Sequence, residues 1–488
     1  MQENKNLSEI EIQNQKIIEN KELNILEALI PVVLLMIMLA YNIFFAEGEF
    51  FGTYSNQYIL LIGGVIAAIV GFFNKVPFVT MLLEVFENLK SVFVPILILF
   101  LVGALAGTWL VSGVIPAMVY YGLQVLNPTI FLPASIIIAA IISIATGSSW
   151  TTSATVGIAL VGIGTALGIP SGMIAGAVIS GAYFGDKMSP LSDTTNLAPA
   201  MAGTDLFTHI RYMSITTVPS IIVTLIVFSI LSLNIETSGN ADVGGLLTTI
   251  KNTFHITPYL FIVPLVVIAL ILLKTKPLIA LGIGVVLAAI FAFIFQSEVL
   301  SGLSDSNYKS VLTAVFTDTE IITDSEKLNE LFSAGGMKGM LWTIFLIICA
   351  MVFGGIMDAI GALAKITKAL LKMATSIFGL FISTVMSCIG LNVIASDQYL
   401  AIVIPGKMFK KAFEDKDLAP ENLSRTLEDS GTVTSALIPW NTCGAYQSSV
   451  LGVDVAEYAV FAIFNWLSPI MTLIFAGFQI KIKQLVAK

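Results

Sequence analysis

Charged residues are scarce in this 488-residue chain: 11% are Asp, Glu, Lys or Arg, against 56% hydrophobic. Soluble domains carry roughly 25% charged residues, so a water-facing globular protein is excluded. The apolar excess excludes a disordered chain as well. The net charge is −8, and no basic stripe exists that could follow a phosphate backbone, which excludes nucleic-acid binding. Only three cysteines are present, Cys349, Cys388 and Cys443, far apart in apolar or Gly-rich sequence. Neither a disulfide framework nor a zinc spacing can be built from them. Two histidines, His209 and His255, are too few for His-based metal chemistry. A GxxxxGK[ST] phosphate loop is missing, so ATP drive is not encoded in this chain. The glycine run Gly162-Ile163-Gly164-Thr165-Ala166-Leu167-Gly168 misses the dinucleotide spacing.

What the chain has is long apolar runs. A helix needs about 20 apolar residues to cross ~30 Å of hydrocarbon. Residues 25–45, 58–73, 92–111, 130–145, 214–233, 259–273, 277–295, 340–363, 377–404 and 455–478 are candidates, and 154–184 adds apolar sequence interrupted by Gly and Pro. Residues 25–45 are too long for a signal-peptide core and lack a following cleavage site, so they are expected to remain as a span. The expected class is an all-α polytopic protein in contact with membrane lipid. Lysines in short connections mark the cytoplasmic ends: Lys274 and Lys276, then Lys365, Lys368 and Lys372, then Lys481, Lys483 and Lys488. Glu47, Glu49, residues 236–242 and the acidic loop 296–339 are expected outside.

Two stretches of the sequence read alike. Residues 92–111 and 340–363 are each a span followed by a short helix. Next come two long apolar segments broken by polar and small residues, 130–167 at Gly147–Ser153 and 377–404 around Asn392 and Asp397. Each half then presents a polar, proline-containing tip, Ser189–Asn196 and Pro439–Thr442, and ends on one ordinary span. The organisation is a polar cytoplasmic N-terminus (1–24), a transmembrane scaffold segment (25–91), a first repeat (92–233), connecting spans with an acidic outer loop (234–339), a second repeat (340–480) and a cytoplasmic tail (481–488). With the lysines inside, residue 92 enters from the cytoplasm and residue 340 from outside, so the repeats are inverted. Paired, interrupted hydrophobic segments in matching halves point to a secondary transporter's binding site. The same inversion places 407–421 outside, where Lys407, Lys410, Lys411 and Lys416 are matched by Glu414, Asp415, Asp417 and Glu421.

The most informative run is 181–199. A carboxylate at mid-membrane depth costs about 2.5–3.5 kcal/mol even on the lenient insertion scale. Asp186 and Asp193, seven residues apart, fall on one face of a helix. Pro190 and Pro199 favour an unwound tip, which exposes backbone carbonyls beside the oxygens of Ser189, Thr194 and Asn196. Such a tip offers Na⁺ several hard oxygens without a soft ligand. A carboxylate there can hold a proton or Na⁺, with Asp193 and Asp186 as the proton-coupling candidates. The first break adds the hydroxyls of Ser148, Ser149, Thr151 and Thr152, and the second half adds Asn392, Asp397, Asn441 and Thr442. Asp358 is either a second proton site or a packing residue, and Gly103/Gly107 and Gly172/Gly176 read as close helix contacts.

Thr146-Gly147-Ser148-Ser149-Trp150 with Ser153-Ala154-Thr155, followed by the unbroken run Ser180–Ala198 that includes Gly185-Asp186-Lys187-Met188-Ser189-Pro190-Leu191-Ser192-Asp193-Thr194-Thr195-Asn196, resembles the NhaC-type Na⁺/H⁺ antiporters. The resemblance implies a secondary transporter of the large ion-transporter superfamily, in which two re-entrant hairpins and two broken helices meet at the ion site. It also implies a homodimer with a scaffold and a moving transport domain. Carried over, hairpin tips fall at 189–196 and near 439–442, and helix breaks at 147–153 and 392–397.

The leading expectation is Na⁺/H⁺ exchange across the cytoplasmic membrane by alternating access, with no cofactor beyond the transported Na⁺ and H⁺. The alternative is Na⁺- or H⁺-coupled movement of a small carboxylate, of malate/lactate type, or an amino acid through the same site. Lys187 is the only cation in the motif that would favour an anionic substrate, and it could equally neutralise Asp186 or Asp193. A membrane enzyme is disfavoured because no nucleophile–base–orienter set is present. A channel is disfavoured because paired halves around one site suit alternating access.

Overall fold

The computed structural model describes residues 17–46, 49–125, 127–234 and 243–485. The acidic stretch 236–242, Glu47, Lys488 and most of the polar N-terminus lie outside the described residues. Apart from one antiparallel pair, Thr319–Glu320 with Ser333–Ala334, the described elements are helical. Eight helices among them are long and apolar enough to cross a membrane. Their outward faces carry large apolar side chains such as Leu26, Phe72, Ile226 and Val286, as a lipid-facing surface requires.

Helices α1 (Ile25–Phe45), α2 (Ser55–Phe73) and α3 (Phe78–Ser91) precede the first half. That half comprises α4 (Phe93–Val111), α5 (Val114–Val125), α6 (Pro128–Thr146), α7 (Ile158–Ala166), α8 (Ser171–Met188), α9 (Asp193–Ala202) and α10 (Leu206–Asn234). Next come α11 (Val243–Thr253), α12 (Ile262–Leu272) and α13 (Pro277–Phe295). The second half comprises α14 (Leu341–Ala359), α15 (Ala362–Lys372), α16 (Ile377–Ile394), α17 (Gln398–Glu414), α18 (Pro420–Leu427), α19 (Thr442–Leu451) and α20 (Ile463–Gly477).

Special backbone positions recur through the two halves. Gly147 (φ 70°) precedes the helix N-cap Ser148, and Ser396 (φ 59°) precedes the N-cap Asp397. Ser192 caps α9 and Asn441 caps α19, and these helices end on the left-handed Gly203 and Gly452. The pairs Gly147/Ser396, Ser148/Asp397, Ser192/Asn441 and Gly203/Gly452 all stand 249 residues apart. A non-glycine residue in the left-handed region costs roughly 1–2 kcal/mol, so Ser396 adopts at a cost what Gly147 adopts freely.

The two long segments double back, so that the two ends of each lie together. Lys416, just past α17, donates from Nζ to the carbonyl of Thr375, just before α16, at 3.1 Å. In the first half, a Cβ on Gly164 in the last turn of α7 would lie 2.7 Å from Phe131 in the first turn of α6. Residues 128–166 and 377–414 are therefore hairpins, with tips at Gly147-Ser148 and Ser396-Asp397. Helices α8–α9 run on past their polar interruption: Ser171 at the start bonds Glu457 (3.2 Å), and Gly203 at the far end lies against Lys410. The hairpins open at opposite ends of α10. Ser232, near its C-terminus, bonds Pro128 O at 2.9 Å, while Tyr212, near its N-terminus, bonds Lys481 O at 2.8 Å. A 29-residue helix spans about 43 Å.

Several expectations change. The assignment of tips and breaks is exchanged, because an apolar run of hairpin length and one of crossing length look alike in sequence. Residues 407–421 lie at the same end as the chain's tail, not opposite it: Ala419 N donates to Lys483 O (3.0 Å) and Leu485 N to Asp417 O (2.7 Å). The segment 455–478 is not one span, because Val455–Tyr458 and α20 are separate helices. The segment 259–273 starts as a 3₁₀ turn, Pro258–Phe261, and is bent by 84° from the helix before it. Residues 296–339 are not an open loop. They carry the helices Ser297–Leu303 and Asn307–Phe316, and Gly103 and Gly107 of α4 admit the carbonyls of Gly336 and Ala314.

Candidate functional site

The first hairpin tip begins the site. Left-handed Gly147 turns the chain so that Ser148 Oγ accepts from Thr151 N (3.2 Å), starting a new helix whose first amides point inward. One of these, Ser149 N, donates to Asp186 Oδ2 at 3.0 Å, and Ser149 Oγ donates to the same oxygen at 2.6 Å. The buried Thr151 and Thr152 follow, and a π-helical turn, Ser153–Gly157, widens the helix beyond them. Such turns are frequent at functional sites.

Asp186 and Lys187 are buried in the last turn of α8, which stays helical to Met188, so only Ser189–Ser192 is unwound. Ser189 Oγ fastens this interruption to Ile144 O (2.7 Å), and Asn196 Nδ2 fastens it to Ser192 O (2.6 Å). Beyond it, Thr194 Oγ1 lies 3.2 Å from Ser192 Oγ and donates to Glu428 Oε1 at 3.1 Å.

Glu428 belongs to a stretch that the sequence reading missed. Residues 421–435, including Ser424, Arg425, Thr426, Glu428, Asp429, Ser430 and Thr432, are buried, with a second π-helical turn at Glu428–Thr432. Lys187 Nζ makes an ion pair with Asp429 Oδ1, both side chains fully buried. Asp429 Oδ2 accepts from Thr216 of α10 at 2.8 Å and from Thr472 of α20. Lys187 is thus the partner of Asp429 rather than of Asp186 or Asp193.

The second half's polar residues join from the side. Asn392 lies inside α16 and donates to Gly431 O (2.7 Å) and Thr434 Oγ1 (3.0 Å). Asn441 Nδ2 reaches Asn392 Oδ1 at 3.2 Å, and Thr442 N bonds Ser396 O at 3.0 Å, tying this interruption to the second hairpin tip. Asp397 Oδ1 accepts from Leu400 N (2.9 Å) as the cap of α17. Between the halves, the Trp150 and Tyr446 rings stack at 3.9 Å.

Two expected site residues stand apart. Asp193 is exposed, with its carboxylate accepting from Tyr399 OH at 2.7 Å, and Asn196 is exposed, its side-chain amide donating to the carbonyls of Ser192 and Pro190. Asp358 is buried in α14 on the side of α3, outside the cluster. Glu428 and Asp429 were missed because residues 407–421 read as a charged loop and the polar run that follows it was not singled out. The signal available was a dense polar run with too few lysines for a solvated helix.

The charges in the cluster do not balance. Lys187 is the partner of Asp429, which leaves Asp186 and Glu428 hydrogen-bonded only by neutral donors. Glu428 Oε2 and Thr432 Oγ1 are buried without a hydrogen-bond partner among the described residues. Burying an uncompensated carboxylate costs several kcal/mol, which protonation or a bound cation relieves. No three of His, Cys, Asp and Glu converge among the described residues. One or two carboxylates with hydroxyl and carbonyl oxygens suit a hard monovalent cation.

Comparison with known proteins agrees with this chemistry. The family model described as "Na+/H+ antiporter family" matches residues 181–480. The Na⁺/H⁺ antiporter NhaC of Alkalihalophilus pseudofirmus is 38% identical over 84% of this chain and 87% of its own. The malate-2H⁺/Na⁺-lactate antiporter of Bacillus subtilis is 37% identical over 76% of this chain and 78% of its own. The arginine/ornithine antiporter ArcD of Halobacterium salinarum is 35% identical over 82% and 83%. With its buried carboxylates, its polar breaks and these relatives, the chain belongs to the NhaC-type Na⁺/H⁺ antiporter family, as a multi-pass protein of the bacterial cytoplasmic membrane and a transporter rather than an enzyme.

Proposed function

We propose that the chain exchanges Na⁺ for H⁺, with Asp186 and Glu428 as the carboxylates that carry a proton on one leg of the cycle and Na⁺ on the other. The observation that carries this is their burial without an ion-pair partner among the described residues, while Lys187 is committed to Asp429. Ser149, Ser192 and Thr194 supply neutral oxygens around the two acids. Ser148, Thr151, Ser189, Asn392, Asn441 and Thr442 hold the surrounding backbone, and Asp397 caps the second hairpin. Asp193 and Asn196 are assigned to the rim.

Alternating access follows if the halves are inverted in the membrane, because each hairpin then reaches the site from its own side. The assembly is proposed as a homodimer, which native mass spectrometry in detergent would check. The function is tested with purified protein in liposomes carrying a pH dye. Addition of Na⁺ outside acid-loaded vesicles should alkalinise their lumen, and a flat trace would overturn the proposal. The relatives named for malate–lactate and arginine–ornithine exchange support a second reading, organic substrate exchange through the same fold. It predicts that Na⁺ alone produces no signal and that adding the organic pair restores it.

A further inference from the structure

Arg425 is a large, fully buried side chain of α18, and its Nε, Nη1 and Nη2 have no hydrogen-bond partner among the described residues. Its helical neighbours are no help. Glu421, one turn before, is paired with Lys483, and Asp429, one turn after, is taken by Lys187, Thr216 and Thr472. What does hold the guanidinium is aromatic. Its carbon lies 4.8 Å from the centroid of the Tyr212 ring of α10 and 6.0 Å from that of Phe381 of α16. Ring contacts of this kind offset only part of what an unpaired buried ion costs.

From this imbalance we infer a second ligand site: Arg425 binds the carboxylate of a small organic anion, held between α10, α16 and α18. Aromatic contacts engage the faces of a planar guanidinium, whereas its N–H groups lie in the plane, where a carboxylate accepts two parallel bonds. A halide can satisfy the charge but not the fork. The site lies one helical turn from Glu428, so Na⁺ at the carboxylates and an anion at Arg425 would be bound by one helix with opposite charges. Full burial means that the anion enters only when the surrounding helices part.

The test is binding, read without proton movement, so that its failure leaves the proposed Na⁺/H⁺ exchange standing. Purified full-length protein at fixed Na⁺ is titrated with L-lactate, L-malate, acetate and, separately, chloride, and the melting temperature is followed. A saturable rise with a carboxylate is expected, absent in Arg425→Met and shifted at least ~tenfold to higher concentration in Arg425→Lys, which keeps the charge and loses the fork. Should Arg425→Met fail to fold, the Arg425→Lys shift decides alone. A rise with chloride that carboxylates do not exceed, an unshifted Arg425→Lys curve, or no response to any anion overturns the inference.

Discussion

Asp186 and Glu428 sit within one polar cluster yet reach it from different halves of the chain, and Thr194 bridges toward the second of them. An amide at either position keeps the shape and the acceptor oxygen but cannot exchange a proton. Asp186→Asn and Glu428→Gln should each abolish Na⁺-driven proton movement in liposomes while the protein stays monodisperse. Asp193→Asn, at an exposed position whose carboxylate accepts from Tyr399, should keep most of the activity. Loss in Asp193→Asn equal to that in Glu428→Gln would move the site to the rim. Lys187→Met leaves Asp429 buried and unpaired, which should cost about 3–5 kcal/mol of stability. The double variant Lys187→Met/Asp429→Asn should regain most of it, and thermal melting of the three proteins measures the difference. Asp186 was legible because two aspartates beside Lys187 and Pro190 stand between apolar flanks. Glu428 was not, because its run follows four lysines that read as a solvated loop.

At the scale of elements, the polar interruptions were legible and their geometry was not. Gly147–Ser153 and Ser396-Asp397 announce a break by composition, but doubling back depends on contacts between residues far apart, such as Lys416 with Thr375. The left-handed glycines separate local from tertiary effects. Gly168 (φ 79°) has open space where a Cβ would go, so Gly168→Ala should cost only the conformational term, roughly 1–2 kcal/mol. Gly147 (φ 70°) would place its Cβ 2.6 Å from Leu191 Cβ and 2.7 Å from that residue's carbonyl carbon, in the unwound segment between α8 and α9. Gly147→Ala should therefore lose more stability than Gly168→Ala and should lose transport as well. Equal melting temperatures for the two variants would show that the hairpin tip tolerates displacement.

For the whole molecule, the lysine distribution and the inferred inversion part ways at one segment. Lys407, Lys410, Lys411 and Lys416 argued for the cytoplasm, and the structure puts their segment beside Lys481 and Lys483, at the end where the tail lies. In a variant whose three native cysteines are replaced, a cysteine at 416 should be labelled from the same side as one at 485, and one at 457 from the opposite side. Labelling of 416 and 457 together would undo the hairpin assignment. Competition between one proton and one Na⁺ for a carboxylate also fixes a sign: the KM for Na⁺ should rise on acidification, by about tenfold per pH unit where the carboxylate is mostly protonated. Flux measurements across a pH series check this.

Residues 481–485 are synthesised after every helix they fasten. Tyr212 of α10, Asn422 of α18 and the turn at Asp417–Ala419 all find partners in that strip, through Lys481 O, Lys483 O and Leu485 N. During biogenesis these groups wait without those partners until residues 481–485, beyond the end of α20, have left the ribosome. A translating chain therefore carries one open end for most of its assembly, and the step that shuts it is the arrival of five residues.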